Sequence, residues 1–398
     1  MPDARSVASN RRPATLLSSL AIRNLRGYAA LDAEFGPGPQ LIWGPNAAGK
    51  TTLLEAVVLL ALGRSHRTTT DAELIRWGET FVRLDGLVSR APGEVDAAPP
   101  PAAGVALELT LQAGGRKKIQ VNGVPRRPTA LAEHLRAVLF APEEMLLVIG
   151  PPALRRAALD GLTAPHDPSY VSSTSTYGRA LQQRNSLLRA IREGEAGPDE
   201  LRLWDEPFLA AGAAIVAARL RLLELLAEPI AAAHREIAPT EGRLAVSYSS
   251  NAAPLPGESP REALAQRLRE TAEKEAWNGS TLVGPHRDDL VFSLDGRDLA
   301  TFSSRGQQRT AILALKLAEL DLLTELDGRP PLLLLDDVFS ELDSARRGHL
   351  VRRIAELPQA FITTTDPNDI DPDLRRQARP WRVVPDDDAG ARVVEGPA

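Results

Sequence analysis

Residues 44 to 51 read Gly44-Pro45-Asn46-Ala47-Ala48-Gly49-Lys50-Thr51, a complete G-x-x-x-x-G-K-[ST] loop, and no other stretch constrains the fold as strongly. The loop follows the apolar run Leu41-Ile42-Trp43 and opens a helical pattern over 52–62. Strand, glycine-rich loop and helix N-terminus in that order make an anion site. Backbone N–H groups cradle phosphates, and the helix dipole favours negative charge there. Lys50 is placed to reach the terminal phosphates and Thr51 to ligate Mg²⁺, so Gly44 through Thr52 form the expected nucleotide-binding set.

A second half of such a site lies far downstream. Leu332-Leu333-Leu334-Leu335 runs into Asp336-Asp337, which suits a strand buried on both faces of a parallel sheet and delivering carboxylates at its C-terminal edge. Asp336 would hold Mg²⁺ opposite Thr51, directly or through water. Asp337 would position or deprotonate an attacking water, with Lys50 as the other catalytic group.

Composition removes several classes. The net charge is −5, with 47 basic and 52 acidic residues, so no global polycation announces nucleic acid, although a local basic face is open. Lysine occurs only at 50, 117, 118, 274 and 316, leaving arginine to carry most positive charge. There is no cysteine, hence neither disulfides nor thiolate metal sites. No run of 18 apolar residues occurs, and 1–14 lacks a signal-peptide core, so a soluble, cytoplasmic protein without membrane contact is expected.

Patterned sequence starts at Leu16, making 1–14 an expected disordered extension. Strands are predicted over 16–24, 31–35, 41–43, 82–89 and 105–112, the last two alternating apolar and polar residues. Residues 91–104 form a Pro/Ala-rich loop, and 117–125 a hairpin turning at Asn122-Gly123. Helical periodicity dominates from Pro151, over 177–193, 201–234 and 261–277, and strand pattern resumes at Leu282. The expected organisation is an α/β nucleotide-binding lobe in two parts, 15–150 and 279–383, around a helical lobe at 151–278, with a frayed tail at 384–398.

Ser303-Ser304-Arg305-Gly306-Gln307-Gln308 precedes a clear helix over 310–326, where serine and glycine at a helix start can cap it or bind an anion. The order of phosphate loop, S-x-G-Q, LLLLDD and then Ser340-Glu341-Leu342-Asp343 resembles the ABC-type ATPases. Further segments resemble one branch closely, the RecF family of DNA recombination and repair proteins. They are AIRNLR (21–26), GRSHRT (63–68), FAPEE (140–144), RRAALD (155–160), QQRN (182–185), GPHRDD (284–289) and DDVFSELD (336–343). The likeness covers about 16 to 383.

That resemblance implies an α/β fold: an ABC-type ATPase head of mixed sheets around the phosphate-loop helix, carrying an inserted, mainly α-helical lobe. It implies ATP and Mg²⁺ bound between two heads in an ATP-dependent homodimer. Ser304, Arg305, Gly306 and Gln307 of one copy would complete the pocket of the other, with Ser340 and Asp343 at the interface. Arg23, Asn24 and Arg26 sit where related heads approach the phosphates. The family also implies duplex DNA and single-strand/double-strand junctions as substrates, a RecR-type mediator (alone or with RecO), and RecA loading in the nucleoid. Four positions depart from the ABC pattern. Val138 stands about where a glutamine is usual, Asp337 is shorter than the usual glutamate, Thr365 replaces a switch histidine, and Ala47 replaces a loop glycine. The first three favour slow ATP turnover as a timed switch, which the resemblance implies is DNA-dependent, and Ala47 should be tolerated if its φ stays negative.

DNA phosphate contacts are expected from arginine. On the helical lobe Arg184 and Arg192 should share a helix face with Arg189 oblique to it, and Arg64 and Arg67 are alternatives on the head. Aromatics make up only 4%, which disfavours base stacking on single strands. His66 and His286 lack metal-site spacing and should make local hydrogen bonds. A transporter ATPase subunit is the alternative, disfavoured by the helical insert and by Thr365. The insert is too short for an SMC-type tether, and no second carboxylate cluster supports a nuclease.

Overall fold

The computed structural model describes residues 13–90, 104–386 and 390–396. The expected extension over 1–14 lies outside the described residues except for Pro13 and Ala14, and Ala14 is already buried. The Pro/Ala-rich loop likewise lies outside them, apart from Gly104. The chain divides into two compact units. The first comprises the described residues up to Met145, Ala233–Glu241, and those from Thr310 onward; the second comprises Leu146–Ala232 and Gly242–Arg309.

In the first unit one sheet is antiparallel. It contains β1 (Thr15–Leu25), β2 (Tyr28–Glu34), β4 (Phe81–Arg90), β5 (Val105–Gln112), β6 (Lys118–Val121) and β7 (Val124–Pro125), in the order β2-β1-β4-β5-β6-β7. Alternation along β4 and β5 buries every second side chain, as a sheet with one wet face requires. Asn122 and Gly123, at φ 51° and 74°, make the tight turn expected of Asn-Gly between β6 and β7.

The second sheet carries the phosphate loop. Strands β3 (Gly38–Trp43), β8 (Ala137–Phe140), β12 (Leu332–Asp336), β13 (Gln359–Thr364), β14 (Arg379–Asp386) and β15 (Gly390–Glu395) stand in the order β15-β14-β3-β13-β12-β8. All neighbours are parallel except β15, which pairs antiparallel with β14. Strands β12 and β13 are buried at every position, which explains the unbroken leucine run. The expectation of a frayed tail from Val384 is therefore corrected. Val383 to Asp386 pair with Gly390 to Val393, and Ala391 is buried.

Helix α1 (Lys50–Leu62) packs against β1, β4 and β5 of one sheet and β8, β12 and β13 of the other. A helix buried on all sides must be apolar all round, and residues 52–61 are buried without exception. Its end is set by Gly63, whose φ of 67° lets the N–H bond Leu59 O. Buried Gln359 ties the sheets together: its amide accepts from Leu17 N at 2.9 Å and donates to Gly36 O at 2.8 Å.

The second unit is mainly helical, with α2 (Leu146–Ile149), α3 (Pro152–Thr163), α4 (Pro168–Arg192), α5 (Arg202–Ile237, as far as Ala232), α6 (Pro260–Asn278) and α7 (Leu299–Phe302). Its core joins Tyr170 and Tyr177 of α4, Phe208 and Ile215 of α5, and Leu264 and Leu268 of α6. Ser259 and Glu262 cap α6 reciprocally, an S-x-x-E box legible in sequence. A small sheet, β9 (Leu244–Ser249), β10 (Asp289–Leu294) and β11 (Arg297–Asp298), was not predicted at β9 and starts later than expected at β10. The unit also runs on to Arg309, beyond the boundary at 278 read from helical periodicity. Helix α8 (Arg305–Asp327) continues from it into the first unit, where α9 (Ser344–Ala355) and α10 (Pro372–Gln377) follow.

Candidate nucleotide site

The loop between β3 and α1 is held by two glycines that cannot be replaced. A Cβ on Gly44 would lie 2.2 Å from Val383 O, and one on Gly49 3.0 Å from the Tyr28 ring, with Gly49 at φ 109°. Ala47 corrects an expectation: its φ is 62°, in the left-handed region, where an alanine methyl is strained by about 1–2 kcal/mol. Helix α1 has no side-chain cap and no acidic residue in its first turn, so its leading N–H groups are open to an anion. Lys50 is buried, and its Nζ donates to Gly44 O and Pro45 O, both at 2.9 Å. Burial lowers the Lys50 pKa, opposed by the charges of Asp337 and Asp336. Thr52 is buried behind it and Thr51 half-buried.

Asp336 ends β12 and is buried. The hydroxyl of Thr363, on β13, donates to Asp336 Oδ1 at 2.6 Å and accepts from Asp337 N at 2.9 Å. One threonine thus orients both carboxylate-bearing residues, and Asp337 takes up a left-handed φ of 52°. Thr365 lies one residue beyond β13, and Thr363 is the member of that threonine run that touches the aspartates. Ser340 Oγ donates to Asp337 O at 3.0 Å, and Asp343 caps α9 while pairing with Arg346 at 2.6 Å. Among the described residues no group of three or more His, Cys, Asp or Glu could hold a metal alone. Thr51 and Asp336 instead offer hard oxygen donors beside a phosphate cradle, a donor set that fits Mg²⁺ shared with phosphates.

Beside the loop lies a charged network that the sequence reading missed. Arg26 donates to Glu55 at 2.5 and 2.9 Å, Ser65 donates to Glu55 at 2.5 Å, and Arg67 approaches it at 3.6 Å. Glu55 has no solvent exposure. Burial is the largest influence and pushes its pKa up, but the hydrogen bonds from Arg26 and Ser65 and the charges of Arg26 and Arg67 bring it below the ordinary value. The available signal was Glu55 itself, a lone charge inside the apolar run of α1. Arg23 is taken up by Asp32 (2.9 Å) and by Leu31 O, and Asn24 Nδ2 by Glu79 (3.2 Å). Both ring nitrogens of His66 are buried without a hydrogen-bond partner among the described residues, contrary to the expected local bonding. Burial lowers its pKa against the charges of Glu55, Glu143, Asp336 and Glu144. His286 does bond locally, through Nδ1 to the Tyr177 hydroxyl at 2.6 Å.

In the second unit, Ser304 and Gln307 cap α8 reciprocally: Gln307 N donates to Ser304 Oγ at 3.2 Å and Ser304 N to Gln307 Oε1 at 2.9 Å. Ser304 and Arg305 are exposed, and Gly306 is half-buried. The other segments singled out there converge. Arg155 pairs with Asp289 at 2.6 Å, Arg156 donates to Asp288 O, and Arg219 links Asp160 (2.8 Å), the Tyr170 hydroxyl and Pro285 O.

Residues 16–372 match the family model of the RecF/RecN/SMC N-terminal domain. The DNA replication and repair protein RecF of Moorella thermoacetica is 40% identical over 372 residues, covering 94% of this chain and 96% of its own. The chain belongs to the RecF family. The solved structure of the recombination mediator protein RecF–ATP of the RecFOR pathway superposes with a TM-score of 0.85 at 32% identity, over 98% of this chain and 99% of that one. The Smc head domain of Pyrococcus furiosus shares the fold alone, with a TM-score of 0.53 at 14% identity over 96% of each chain. The architecture is that of an ABC-type, SMC-like ATPase head with mixed sheets.

Within this RecF-family chain two sequence readings need correction. Arg184 is no DNA contact. It is 2% exposed, bonded to Asp205 (2.7 Å), Thr281 (2.9 Å) and Glu275 (3.2 Å), and lies over the Phe208 ring. Arg192 is exposed with contacts to Asn278 O and Glu193, and Arg189 is exposed, so Arg184 and Arg192 do not present one basic face. Arg64 is exposed, whereas Arg67 is shared between Glu55 and Glu143. Val138 lies inside β8 without exposure, and is core rather than site. Among the described residues no helix is long and apolar enough to cross a membrane.

Proposed function

We propose that this RecF-family chain is an ATP-driven, duplex-binding repair switch, cytoplasmic and associated with the nucleoid. Two copies close on ATP at gapped or single-strand/double-strand junction DNA, engage a RecR-type mediator (with or without RecO) and promote RecA loading. Slow, DNA-dependent hydrolysis releases them. The observation that carries the reading is the Lys50 ammonium, held on Gly44 O and Pro45 O at an uncapped helix start with Asp336 and Asp337 in its field. An arriving triphosphate exchanges those two neutral acceptors for anionic ones, so that the ammonium charge is met by opposite charge.

Lys50 and the α1 N–H groups bind the phosphates, and Thr51 and Asp336 would hold Mg²⁺, which neutralises phosphate charge. Thr363 fixes Asp337, the residue that orients water for attack. The exposed Ser304-Arg305 cap, with Gly306 and Gln307, is the surface offered to the partner's nucleotide, with Ser340 and Asp343 at the same interface. Light scattering after size exclusion, run apo, with ADP and with ATP, with and without gapped duplex, tests the proposal. Dimers should need ATP, Lys50→Arg should impair nucleotide-driven closure, and Ser304→Arg should stay monomeric while still binding ATP. A chain that remains monomeric at saturating ATP, magnesium and DNA defeats the reading.

A further inference from the structure

An outer strand of a sheet presents a row of free N–H and C=O groups, a template for another chain unless something blunts it. Five of the six outer strands in the three sheets are blunted. Strand β2 carries Asp32 and Glu34, and β15 carries Arg392 and Glu395. Strands β7 and β11 are two residues each, with Pro125 in one and the charges of Arg297 and Asp298 in the other. Strand β8 is buried along its whole length. Strand β9 has none of these defences. Its residues, Leu244-Ala245-Val246-Ser247-Tyr248-Ser249, hold no charge and no proline, and they pair with β10 in unbroken register.

That register fixes which groups are free. Asp295 N donates to Arg243 O at 3.0 Å, one step before β9 begins, so the bonded pairs with β10 recur at Ala245, Ser247 and Ser249. The backbone N–H and C=O of Leu244, Val246 and Tyr248 therefore point away from β10, and among the described residues they have no hydrogen-bond partner. The strand is held ready: the Tyr248 hydroxyl donates to Asp288 Oδ2 at 2.6 Å. Val246 and Tyr248 are half-buried on one face, while Ala245, Ser247 and Ser249 are exposed on the other.

These features dictate what fits. Residues of an added strand opposite Val246 and Tyr248 share their half-buried face and should be apolar, with polar residues between them. Arg243, exposed just ahead of β9, has its guanidinium 3.7 Å from exposed Glu228, a loose pair that an incoming carboxylate can displace. A second copy of β9 supplies no such carboxylate. Antiparallel pairing centred on Val246 sets Arg243 against Ser249, and pairing centred on Ser247 sets it against Asn251. We propose that the free edge of β9 docks an extended segment of a partner protein, antiparallel, alternating apolar and polar residues and flanked by an acidic one.

The test is calorimetric titration of the full chain with the peptide acetyl-Glu-Val-Thr-Val-Thr-Val-Glu-amide. Val246→Pro deletes one outward N–H and leaves the bonds to β10 intact, whereas Val246→Ala trims the side chain and keeps that N–H. Losing one such bond corresponds to about a 2- to 13-fold change in affinity, so Val246→Pro should weaken the peptide within that range or beyond it, and more than Val246→Ala does. Peptide N-methylated at its valines should lose binding, and peptide N-methylated at its threonines, whose N–H groups face away from β9, should keep it; these two arms decide the matter if Val246→Pro does not fold. No binding of the unmodified peptide at millimolar concentration overturns the proposal, as does equal loss on either methylation or a native Val246→Pro that binds like wild type. Nucleotide-free association of the chain that Val246→Pro abolishes overturns it in favour of a second copy at this edge.

Discussion

Replacing Arg184 by methionine removes one charge from the interior of the helical unit and leaves its acidic partners in place. Glu275, 1% exposed, has no route to water from its position at 3.2 Å from the guanidinium. Burial already pushes the Glu275 pKa up, opposed by the Leu282 N–H and by Arg184. Breaking a buried pair by removing one partner costs about 3–5 kcal/mol, because the remaining charge is uncompensated. The Thr281 hydroxyl loses its partner as well, and Phe208 loses the guanidinium lying 4.9 Å from its ring. Denaturant unfolding followed by circular dichroism should therefore show a loss of about that size in Arg184→Met. Adding Glu275→Gln should restore at least about 1 kcal/mol, since the orphaned charge is gone. Native Arg184→Met should bind duplex with unchanged affinity and salt slope. A loss below about 1 kcal/mol, or a double variant no more stable than the single one, would refute the buried-ion account.

Three further outcomes follow from the same geometry. Thr363→Val deletes the hydroxyl that meets Asp336 at 2.6 Å and Asp337 N at 2.9 Å; steady-state assays should show ATP turnover down about tenfold or more with ATP affinity retained. Ala47→Gly relieves the methyl at φ 62°, so thermal unfolding should show a gain of up to about 1 kcal/mol, net of glycine's entropy in the unfolded chain. His286 is held neutral by burial, its pKa lowered to about 4 from 6.5. The unfolded chain therefore takes up that proton first. Its contribution is whole above about pH 6.5 and is lost as pH falls toward 4, by up to about 3 kcal/mol. Urea unfolding at pH 7 and 4.5 should show a smaller difference for His286→Gln than for wild type.

The phosphate loop and the LLLLDD strand were legible because their chemistry requires fixed residues at fixed spacing, and Asn122-Gly123 because only such residues take two positive φ angles at no great cost. Periodicity located α4 but misjudged Arg184. Spacing tells which residues share a helix face, but polarity alone does not tell which face is the outer one. Arg184 sits inward because Asp205, Thr281 and Glu275, far apart in sequence, converge on it. Glu55 repeats the case within α1. Strands β9 and β15 went unseen for the converse reason. In LAVSYS and GARVVE few side chains are buried, and pairing to a neighbour, absent from any local pattern, makes the strand.

The threonine run that ends β13 and continues past it shows where local reading stops. Three successive hydroxyls, Thr363, Thr364 and Thr365, are equivalent in composition, and alternation along a strand separates them only once the register is known. Pairing of Thr363 with Asp336 across β12 and β13 settles the matter, setting one hydroxyl between a carboxylate and the next amide while Thr364 turns to Asp366 O. A departure from the usual switch residue at Thr365 therefore says little by itself about turnover. The hydroxyl that touches both aspartates is that of Thr363, two residues earlier and inside the sheet. In the reading proposed above, the short reach of the Asp337 side chain is what remains to slow hydrolysis, on a backbone held at φ 52° with its N–H bonded to Thr363 Oγ.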